Sequence, residues 1–274
     1  MVKDETGTAT KAAITARHDQ ACQIALQAGQ IALGYFNARE TLVVEAKDTP
    51  QDVVSRADRE VEDLIRAAIL AQFPDDAILG EEGAPTSGSS GFAWVIDPID
   101  GTMPFLSGIS QWCVAIAVLH DDQTVAAATF APAMKVLYSA RKGGGAFANG
   151  MACTISPTLD MTRAMTAIGA NHRVAPDVIA ATIGSLVASG GMYYRNGSGA
   201  LMLAQVASGQ LAGYLEHHMN PWDCLGGLLM VSEAGGRILE PEMGQMLRGG
   251  GPVLAAAPMV YERLHEVAGF GALA

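Results

Sequence analysis

The stretch Trp94-Val95-Ile96-Asp97-Pro98-Ile99-Asp100-Gly101-Thr102 is the part of the chain from which the fold can best be predicted. Its apolar start predicts a buried strand, its proline stiffens the next turn, and its final Gly-Thr pair can open a helix. Two acids lie three residues apart at the end of that strand. Because buried charges are costly without a partner, the stretch predicts a strand, turn and helix that present carboxylates to a cation.

Three further acids occupy similar places in the predicted secondary structure. Glu81 follows a short apolar strand, and Asp58 falls in the first turn of a helix that Ser55 can cap. Asp223 lies at the start of a predicted helix over 222–234. With the two acids of the first stretch they make five carboxylates, each expected where a strand or loop gives way to a helix.

This set of acids has the chemistry of a magnesium site. Mg²⁺ prefers oxygen ligands and usually takes one or two carboxylates per ion, so four of the acids could serve two ions. Without metal they would repel one another, and bound cations would remove that cost. Two neighbouring ions can activate water on one side of a phosphoryl group and neutralise the leaving oxygen on the other. The four acids are Glu81, Asp97, Asp100 and Asp223.

The residues after Asp100 predict a place for the phosphate. Backbone N–H groups at Gly101 and Thr102 and the start of a helix favour an anion. The hydroxyl of Thr102 could accept a proton from water while passing its own to a carboxylate, for which Asp58 is the candidate. Structural alternatives stay open, because Asp58 and Asp223 could simply stabilise helix starts and Thr102 could be an N-cap.

Composition excludes several classes of partner. The chain has 28 acids and 17 bases, a formal charge of -11 that repels nucleic acid and anionic membranes. The first residues are polar and the longest apolar runs are too short to span a bilayer, so a cytoplasmic protein is expected. The four cysteines form no CxxC pair, which predicts reduced thiols rather than a disulfide framework or zinc knuckle.

The order of predicted elements indicates two halves. Residues 11–37 form an amphipathic helix, and strands at 112–119, 125–130 and 135–140 form an antiparallel meander. Strands and helices then alternate. We therefore predict an α+β half, 1–155, that holds metal-binding motifs, followed by an α/β half, 156–274, that completes the site. The later strands are expected at 164–168, 192–195, 213–216 and 237–239, and the later helices at 176–188, 198–208 and 222–234.

Several separated motifs resemble those of the inositol monophosphatase family of metal-dependent phosphatases. They correspond to the family's GEE, DPIDGT and WD…EAGG segments, and the stretch 47–58 resembles its K-x-x-P-x-D-x-V-T-x-A-D segment. The fold this implies is a layered α-β-α-β-α sandwich, which the family shares with fructose-1,6-bisphosphatase. The matching residues are Gly80-Glu81-Glu82, Asp97-Pro98-Ile99-Asp100-Gly101-Thr102, and Trp222-Asp223 with Glu233-Ala234-Gly235-Gly236.

The resemblance also implies roles for individual residues. Glu81, Asp97 and the Ile99 carbonyl would bind a first Mg²⁺, and Asp97, Asp100 and Asp223 a second, with two or three ions per site. Asp58 and Thr102 would be the water-activating pair. A homodimer and lithium sensitivity are further expectations that the resemblance carries.

Substrate contacts are implied by shorter matches. Gly197-Ser198-Gly199-Ala200 resembles a family G-[ST]-A-A segment, and Glu216 stands where inositol-type members place an acid that binds sugar hydroxyls, beside Asp100 and Asp223. The usual T-N-F after DGT is replaced at 103–105, and 105–108 resembles the F-[IV]-S-G of histidinol-phosphate phosphatases. The leaving alcohol therefore stays open.

The hypothesis that follows is a Mg²⁺-dependent phosphomonoesterase that hydrolyses a polyol or sugar phosphate by in-line attack of a metal-activated water. Inositol monophosphate is the first candidate among small-molecule substrates. Alternatives are histidinol phosphate and nucleotide or sugar bisphosphates, although a bisphosphate calls for a basic cluster and only Arg141-Lys142 suggests one. A metal-binding regulatory scaffold is the alternative outside enzymes.

Three other segments have plainer interpretations. Gly143-Gly144-Gly145 lacks the pattern of a phosphate-binding loop and predicts a β-turn. His217 and His218 are adjacent on a strand and should point to opposite faces, which disfavours joint metal binding. His172-Arg173 predicts a solvated loop, with approach to an anionic or hydroxylated substrate as the alternative.

Overall fold

The computed structural model describes residues 5–42, 44–46 and 53–270. Within these residues the chain forms eight α-helices and fourteen strands. The helices are α1 (Glu5–Asn37), α2 (Arg56–Gln72), α3 (Thr102–Leu106), α4 (Pro176–Ala188), α5 (Gly199–Ala207), α6 (Pro221–Glu233), α7 (Met243–Gly249) and α8 (Pro258–Ala268). The strands are β1 (Val44–Ala46), β2 (Val53–Ser55), β3 (Ala77–Gly80), β4 (Phe92–Asp100), β5 (Cys113–His120), β6 (Gln123–Ala131), β7 (Val136–Arg141), β8 (Gly145–Ala148), β9 (Met151–Ala152), β10 (Met165–Ile168), β11 (Met192–Tyr194), β12 (Gly213–Met219), β13 (Arg237–Ile238) and β14 (Gly251–Ala256).

Two large sheets organise the chain. Strands β3 to β9 form a seven-stranded sheet in sequence order, in which β3 is parallel to β4 and the rest are antiparallel. The predicted meander is confirmed, and β8 and β9 extend it. The second sheet has the order β11-β10-β12-β14-β13, with β10 parallel to both β11 and β12. A short β1–β2 pair precedes α2.

The helices lie in three layers around these sheets. Helices α1 and α2 pack on one face of the seven-stranded sheet, α5 and α6 lie between the sheets, and α4 and α8 cover the second sheet. Strand β5 serves two cores by simple alternation, since Val114 and Ile116 face α1 and α2 while Ala115 and Ala117 face α5 and α6. The predicted α-β-α-β-α sandwich is confirmed.

The deciding stretch differs from its prediction in one respect. Strand β4 does not stop before the acids but continues to Asp100, with a bulge against β5 between Asp97 and Asp100. Asp97 and Asp100 pair with Ala115 and Cys113, so between the acids two residues of β4 oppose one residue of β5 and the strand bends there. Gly101 then turns the chain at φ +93°, where a Cβ would lie 3.0 Å from the Ser198 Cβ. Helix α3 starts at Thr102, as predicted.

The expectation that all five acids precede helices is wrong for two of them. Asp58 and Asp223 lie in the first turns of α2 and α6, and Asp100 precedes α3. Glu81 instead lies in the loop from β3 to β4, and Asp97 lies within β4. Glu81 follows the carboxyl end of β3 and Asp97 lies near the carboxyl end of β4. Because β3 and β4 are parallel neighbours, the two acids come close together.

The later elements agree with their predicted positions, and α7, α8 and β14 were not predicted. All four cysteines are unbridged, as expected. Among the described residues, no helix combines the length and the apolar character needed to cross a bilayer.

Candidate active site

Three aspartates from distant parts of the sequence converge beside the β4 bulge. One carboxylate oxygen each of Asp97, Asp100 and Asp223 lies within 4.8 Å of the other two. We call this group the aspartate trio. Asp97 and Asp100 come from β4, while Asp223 comes from the first turn of α6, where it also accepts the Asn220 N–H at 3.3 Å. The folded chain thus unites the two motifs that the sequence separates.

The trio is electrostatically incomplete. Burial raises the pKa of Asp97 well above its usual range, and the charges of Glu81, Asp100 and Asp223 raise it further. Burial and then the charges of Asp100 and Glu81 likewise raise the pKa of Asp223. None of the ion pairs among the described residues includes a trio member. A donor set made only of carboxylate oxygens, with Asp97 and Asp100 buried and Asp223 half-buried, fits Mg²⁺.

Asp100 is oriented by the start of α5. Its Oδ2 accepts the Ser198 hydroxyl and the Ala200 N–H, the latter at 2.8 Å, and its Oδ1 accepts the Gly199 N–H at 3.3 Å. Burial raises its pKa, although these hydrogen bonds oppose the rise. Asp100 therefore joins the edge of the first sheet to the helix between the sheets.

Glu81 lies beside the trio rather than within it. Its N–H donates to the Ile96 carbonyl at 3.3 Å, which keeps it alongside β4. The loop is held by buried Glu62 of α2, whose carboxylate accepts the N–H groups of Glu82 and Gly83, both at 2.8 Å. Arg66 completes this support, because its Nε donates to Glu62 at 2.7 Å and its Nη2 to the Gly83 carbonyl at 3.1 Å.

Asp58 and Thr102 meet as the proton-relay hypothesis requires. Thr102 Oγ1 lies 3.4 Å from Asp58 Oδ1 and 3.3 Å from the Ile99 carbonyl, so its one hydrogen can serve either acceptor. The other oxygen, Asp58 Oδ2, accepts the Ser55 N–H at 2.8 Å and the Ser55 hydroxyl at 2.7 Å. Asp58 thus stabilises its helix with one oxygen and contacts Thr102 with the other. Residues 47–52 of the matching motif lie outside the described residues.

A cleft opens beside the trio. Its lining includes the predicted residues Gly197, Gly199 and Glu216, and Gly101, Thr102 and Glu81 line an adjoining cavity. Glu216 is fixed by the Tyr214 hydroxyl and by the Asn171 amide at 2.8 Å. The sequence analysis gave no role to Asn171, Tyr214 and Arg195, although each is a polar residue within or just after a predicted strand.

The adjacent histidines and the glycine run lie as predicted. His218 lines the cleft, whereas His217 faces away, 2.8 Å from Thr182 Oγ1. The glycine run is a turn whose Gly143 and Gly145 N–H groups donate to Glu233, both at 2.8 Å. His172 and Arg173 lie in an exposed loop as expected, and the alternative that they approach a substrate stays open because Arg173 lines the cleft and His172 the adjoining cavity.

Comparison with known proteins agrees with this geometry. The sequence pattern of the inositol monophosphatase family matches residues 15–270. An inositol-1-monophosphatase from Mesorhizobium japonicum is 34% identical over 245 residues, covering 88% of this chain and 92% of that protein. A histidinol-phosphatase from Chlorobaculum parvum is 35% identical over 226 residues, covering 79% and 82%. The structure of the extragenic suppressor protein suhB from Bartonella henselae has a TM-score of 0.87 at 29% identity, and the similarity covers 94% of this chain and all of that one. The chain is therefore a phosphoric monoester hydrolase that belongs to the inositol monophosphatase family.

Proposed function

We propose that the protein is a Mg²⁺-dependent phosphomonoesterase for a polyol or sugar phosphate, with inositol monophosphate as the first substrate to assay. The observation that carries this proposal is the aspartate trio, which gathers two buried acids and one half-buried acid beside a cleft that also contains Glu216. A cation site next to a hydroxyl-binding carboxylate suits a phosphate ester of a polyol.

The proposed metal ligands are the trio, Glu81 and the Ile99 carbonyl, for two or three ions. Bound Mg²⁺ would supply Lewis-acid neutralisation of the phosphoryl oxygens and would lower the pKa of water. The Asp100 carboxylate accepts the Ala200 N–H, and the backbone at Glu81 is held through its own N–H and that of Glu82, so both residues are positioned before any ligand arrives.

The proposed relay moves one proton between named atoms. Thr102 Oγ1 accepts a proton from the attacking water and donates its own to Asp58 Oδ1, from which it lies 3.4 Å. The two bonds from Ser55 hold the other Asp58 oxygen, so Oδ1 stays directed at Thr102. Gly101 and Thr102 line the cavity in which we place the phosphate.

The proposed alcohol site is built around Glu216. Both of its oxygens have fixed positions because Tyr214 and Asn171 donate to them. Gly197 has φ +90°, and a Cβ there would lie 2.9 Å from Pro104 Cγ, so only glycine leaves this wall open. A substrate hydroxyl can donate to Glu216 while its phosphate lies near the trio.

Histidinol phosphate is the second candidate. The 35% identity to a histidinol-phosphatase favours it, as does the 105–108 segment. The test is phosphate release from inositol monophosphate and from histidinol phosphate, with Mg²⁺ and with EDTA. Release from inositol monophosphate only with Mg²⁺ supports the proposal, and release from histidinol phosphate alone would replace its substrate.

Three further features are proposals of the same kind. We propose that 1–155 and 156–274 are structural halves that share one site, that the protein is a homodimer, and that lithium inhibits it. The trio draws Asp97 and Asp100 from the first half and Asp223 from the second. Light scattering tests the dimer, and phosphate release in LiCl against NaCl tests inhibition.

A further inference from the structure

We infer that the substrate carries a second anionic group in addition to the phosphoryl group, and that Arg173 and Arg195 bind it. This inference rests on the proposed phosphomonoesterase function and narrows its substrate class. The ligand chemistry is a polyol or sugar phosphate with a distant carboxylate or second phosphate.

The topology of the second sheet brings the two arginines together. Strand β10 lies between β11 and β12 and is parallel to both, so the carboxyl ends of all three strands meet at one edge. Ligands of such sheets bind beyond those ends. Arg195 directly follows β11, Arg173 lies in the loop after β10, and Glu216 lies on β12. All three line the same cleft.

Hydrogen bonds fix the loop that carries Arg173. The Asn171 amide donates to Glu216 at 2.8 Å and to the His218 carbonyl at 2.7 Å, which fastens the loop to β12. The Arg173 N–H donates to Asn171 Oδ1 at 2.9 Å. On the other side, Arg195 Nη2 donates to the Ala170 carbonyl at 2.9 Å. One arginine therefore helps to place the loop of the other.

The cleft is lined by two guanidinium groups and by the acids Asp100, Glu216 and Asp223, of which Asp100 and Asp223 are proposed metal ligands and Glu216 interacts electrostatically with Arg195. Neither Arg173 nor Arg195 belongs to any ion pair found in the described part of the chain. Glu216, the nearby acid, already accepts two hydrogen bonds. Guanidinium groups bind carboxylate and phosphate oxygens well, so an anionic substituent would suit the two arginines.

A donor next to Arg195 strengthens the case. Asn196 lines the adjoining cavity, which Arg195 also lines, and its buried Nδ2 has no hydrogen-bond partner. A buried donor without a partner is costly, and a ligand oxygen would satisfy it. Two basic residues that lie 22 positions apart in the sequence thus line one cleft, as a substrate with a second anionic group requires.

The test compares matched substrates that differ only in the distant group. These are 6-phosphogluconate against glucitol 6-phosphate, and fructose 1,6-bisphosphate against fructose 1-phosphate. With Mg²⁺ we expect kcat/KM to be about tenfold higher for at least one anionic member, as a charge-assisted hydrogen bond provides. The two pairs distinguish a carboxylate from a second phosphate. Because both arginines are exposed, this preference should shrink as NaCl rises.

Substitutions assign the preference to the two residues. In Arg195→Gln and Arg173→Gln, kcat/KM should fall about tenfold more for the anionic member than for its neutral partner, and Arg195→Lys should recover part of that loss. Arg163→Gln is the matched control, since Arg163 is exposed, outside the cleft and not in an ion pair of the described residues. Arg163→Gln should leave kcat/KM unchanged for both members of each pair. Thermal melting of each variant checks folding.

Distinct outcomes overturn the two proposals. If wild-type enzyme hydrolyses both members of each pair equally, or prefers the neutral ones, the anionic subsite is wrong while the phosphatase function stands. The anionic subsite is also wrong if the arginine variants lower kcat/KM equally for both members of a pair, because that result indicates that the arginines only support the fold of the cleft. If inositol monophosphate is hydrolysed with Mg²⁺ but none of the four esters is, the anionic subsite is wrong while the phosphatase function stands. If neither these esters nor inositol monophosphate nor histidinol phosphate is hydrolysed, the proposed function fails and this inference fails with it.

Discussion

Two buried aspartates at opposite ends of the β3–β4 pair show different ways of burying a charge. Asp76 precedes β3 and Asp97 lies near the end of β4, and each is only 1% exposed. Asp76 accepts two hydrogen bonds from Arg17 at 2.7 Å, one from Trp94 at 2.8 Å and one from Ser90 at 2.6 Å. Asp97 accepts the Ile99 N–H at 2.9 Å and otherwise faces other acids.

The pKa values of the two carboxyls move in opposite directions for that reason. Burial alone would raise the pKa of Asp76, but Arg17, Ser90 and Trp94 hold it below its usual range. No such donors surround Asp97, and its pKa is raised. The fold supplies the partner of Asp76 from within. The partner of Asp97 has to come from outside, which is what a metal site requires.

The largest expected effects come from removing each charge in turn. Asp97→Asn should lower kcat at saturating Mg²⁺ by about 10³-fold or more, because metal-dependent stabilisation of the transition state is lost, while the protein stays folded. Asp76→Asn should instead destabilise the fold by about 3–5 kcal/mol, since it leaves Arg17 buried without its partner. Phosphate release and urea unfolding measure the two effects. A stable, fully active Asp97→Asn would break the comparison.

Asp58 shows both arrangements in one side chain, because Ser55 donates to one of its oxygens while the other is directed at Thr102 in the site. Thr102→Val removes the hydroxyl beside Asp58 Oδ1 and should lower kcat about 10²-fold without changing the Mg²⁺ requirement. Thr102→Ser keeps the hydroxyl and is the matched control, expected to retain most activity. If Thr102→Val matches wild type in single-turnover assays, the relay is wrong.

Glu62 is an internally paired acid that acts on the site indirectly. In Glu62→Gln the amide group cannot accept from both loop N–H groups, so Glu81 loses its fixed position. The Mg²⁺ concentration at half-maximal rate should rise about tenfold. Glu60→Gln, on the same helix but paired at the surface with Arg56, should leave it unchanged. Equal behaviour of the two variants would remove the positioning role.

The smallest effect is a difference in how stability depends on pH without metal. The raised pKa of Asp97 means that the folded state holds more protons above pH 4, so stability falls as pH rises toward the folded-state pKa. The lowered pKa of Asp76 has the opposite sign, and its contribution is lost as pH falls below its ordinary value. In EDTA, the free energy of unfolding should therefore fall less steeply in Asp97→Asn than in wild type as pH rises above about 4. In Asp76→Asn it should fall less steeply than in wild type as pH is lowered. Added Mg²⁺ should stabilise wild type more as pH rises, and equal stabilisation at every pH would contradict this explanation.

Local signals predicted much of the fold. The Ser55 cap predicted the start of α2, the apolar run at 94–96 predicted β4, and the strands of the meander were each predicted from a few consecutive residues. Strand β14 was missed because its short apolar run is preceded by Gly249-Gly250 and contains Pro252, a composition typical of loops. Helices α7 and α8, on either side of it, were missed as well. The bulge in β4 was missed because it depends on the register with β5.

The candidate site was only partly accessible to sequence reasoning. Asp97 and Asp100 share one motif, and Asp223 was grouped with them because carboxylates suit the same ions, while its place at the second ion was implied by the family resemblance. Arg173 and Arg195 come together only because β10 and β11 are parallel neighbours. The support from Glu62 has no sequence signal, since its carboxylate binds backbone groups of a loop 20 residues away.

Anomalous diffraction from crystals soaked in Mn²⁺, a stand-in for Mg²⁺ that scatters anomalously, tests the central claim most directly. We predict anomalous density among the carboxylate oxygens of Asp97, Asp100 and Asp223, lost at this position in Asp97→Asn crystals. Mn²⁺ density elsewhere with none among these three acids, in crystals of enzyme whose activity Mn²⁺ supports, would contradict it.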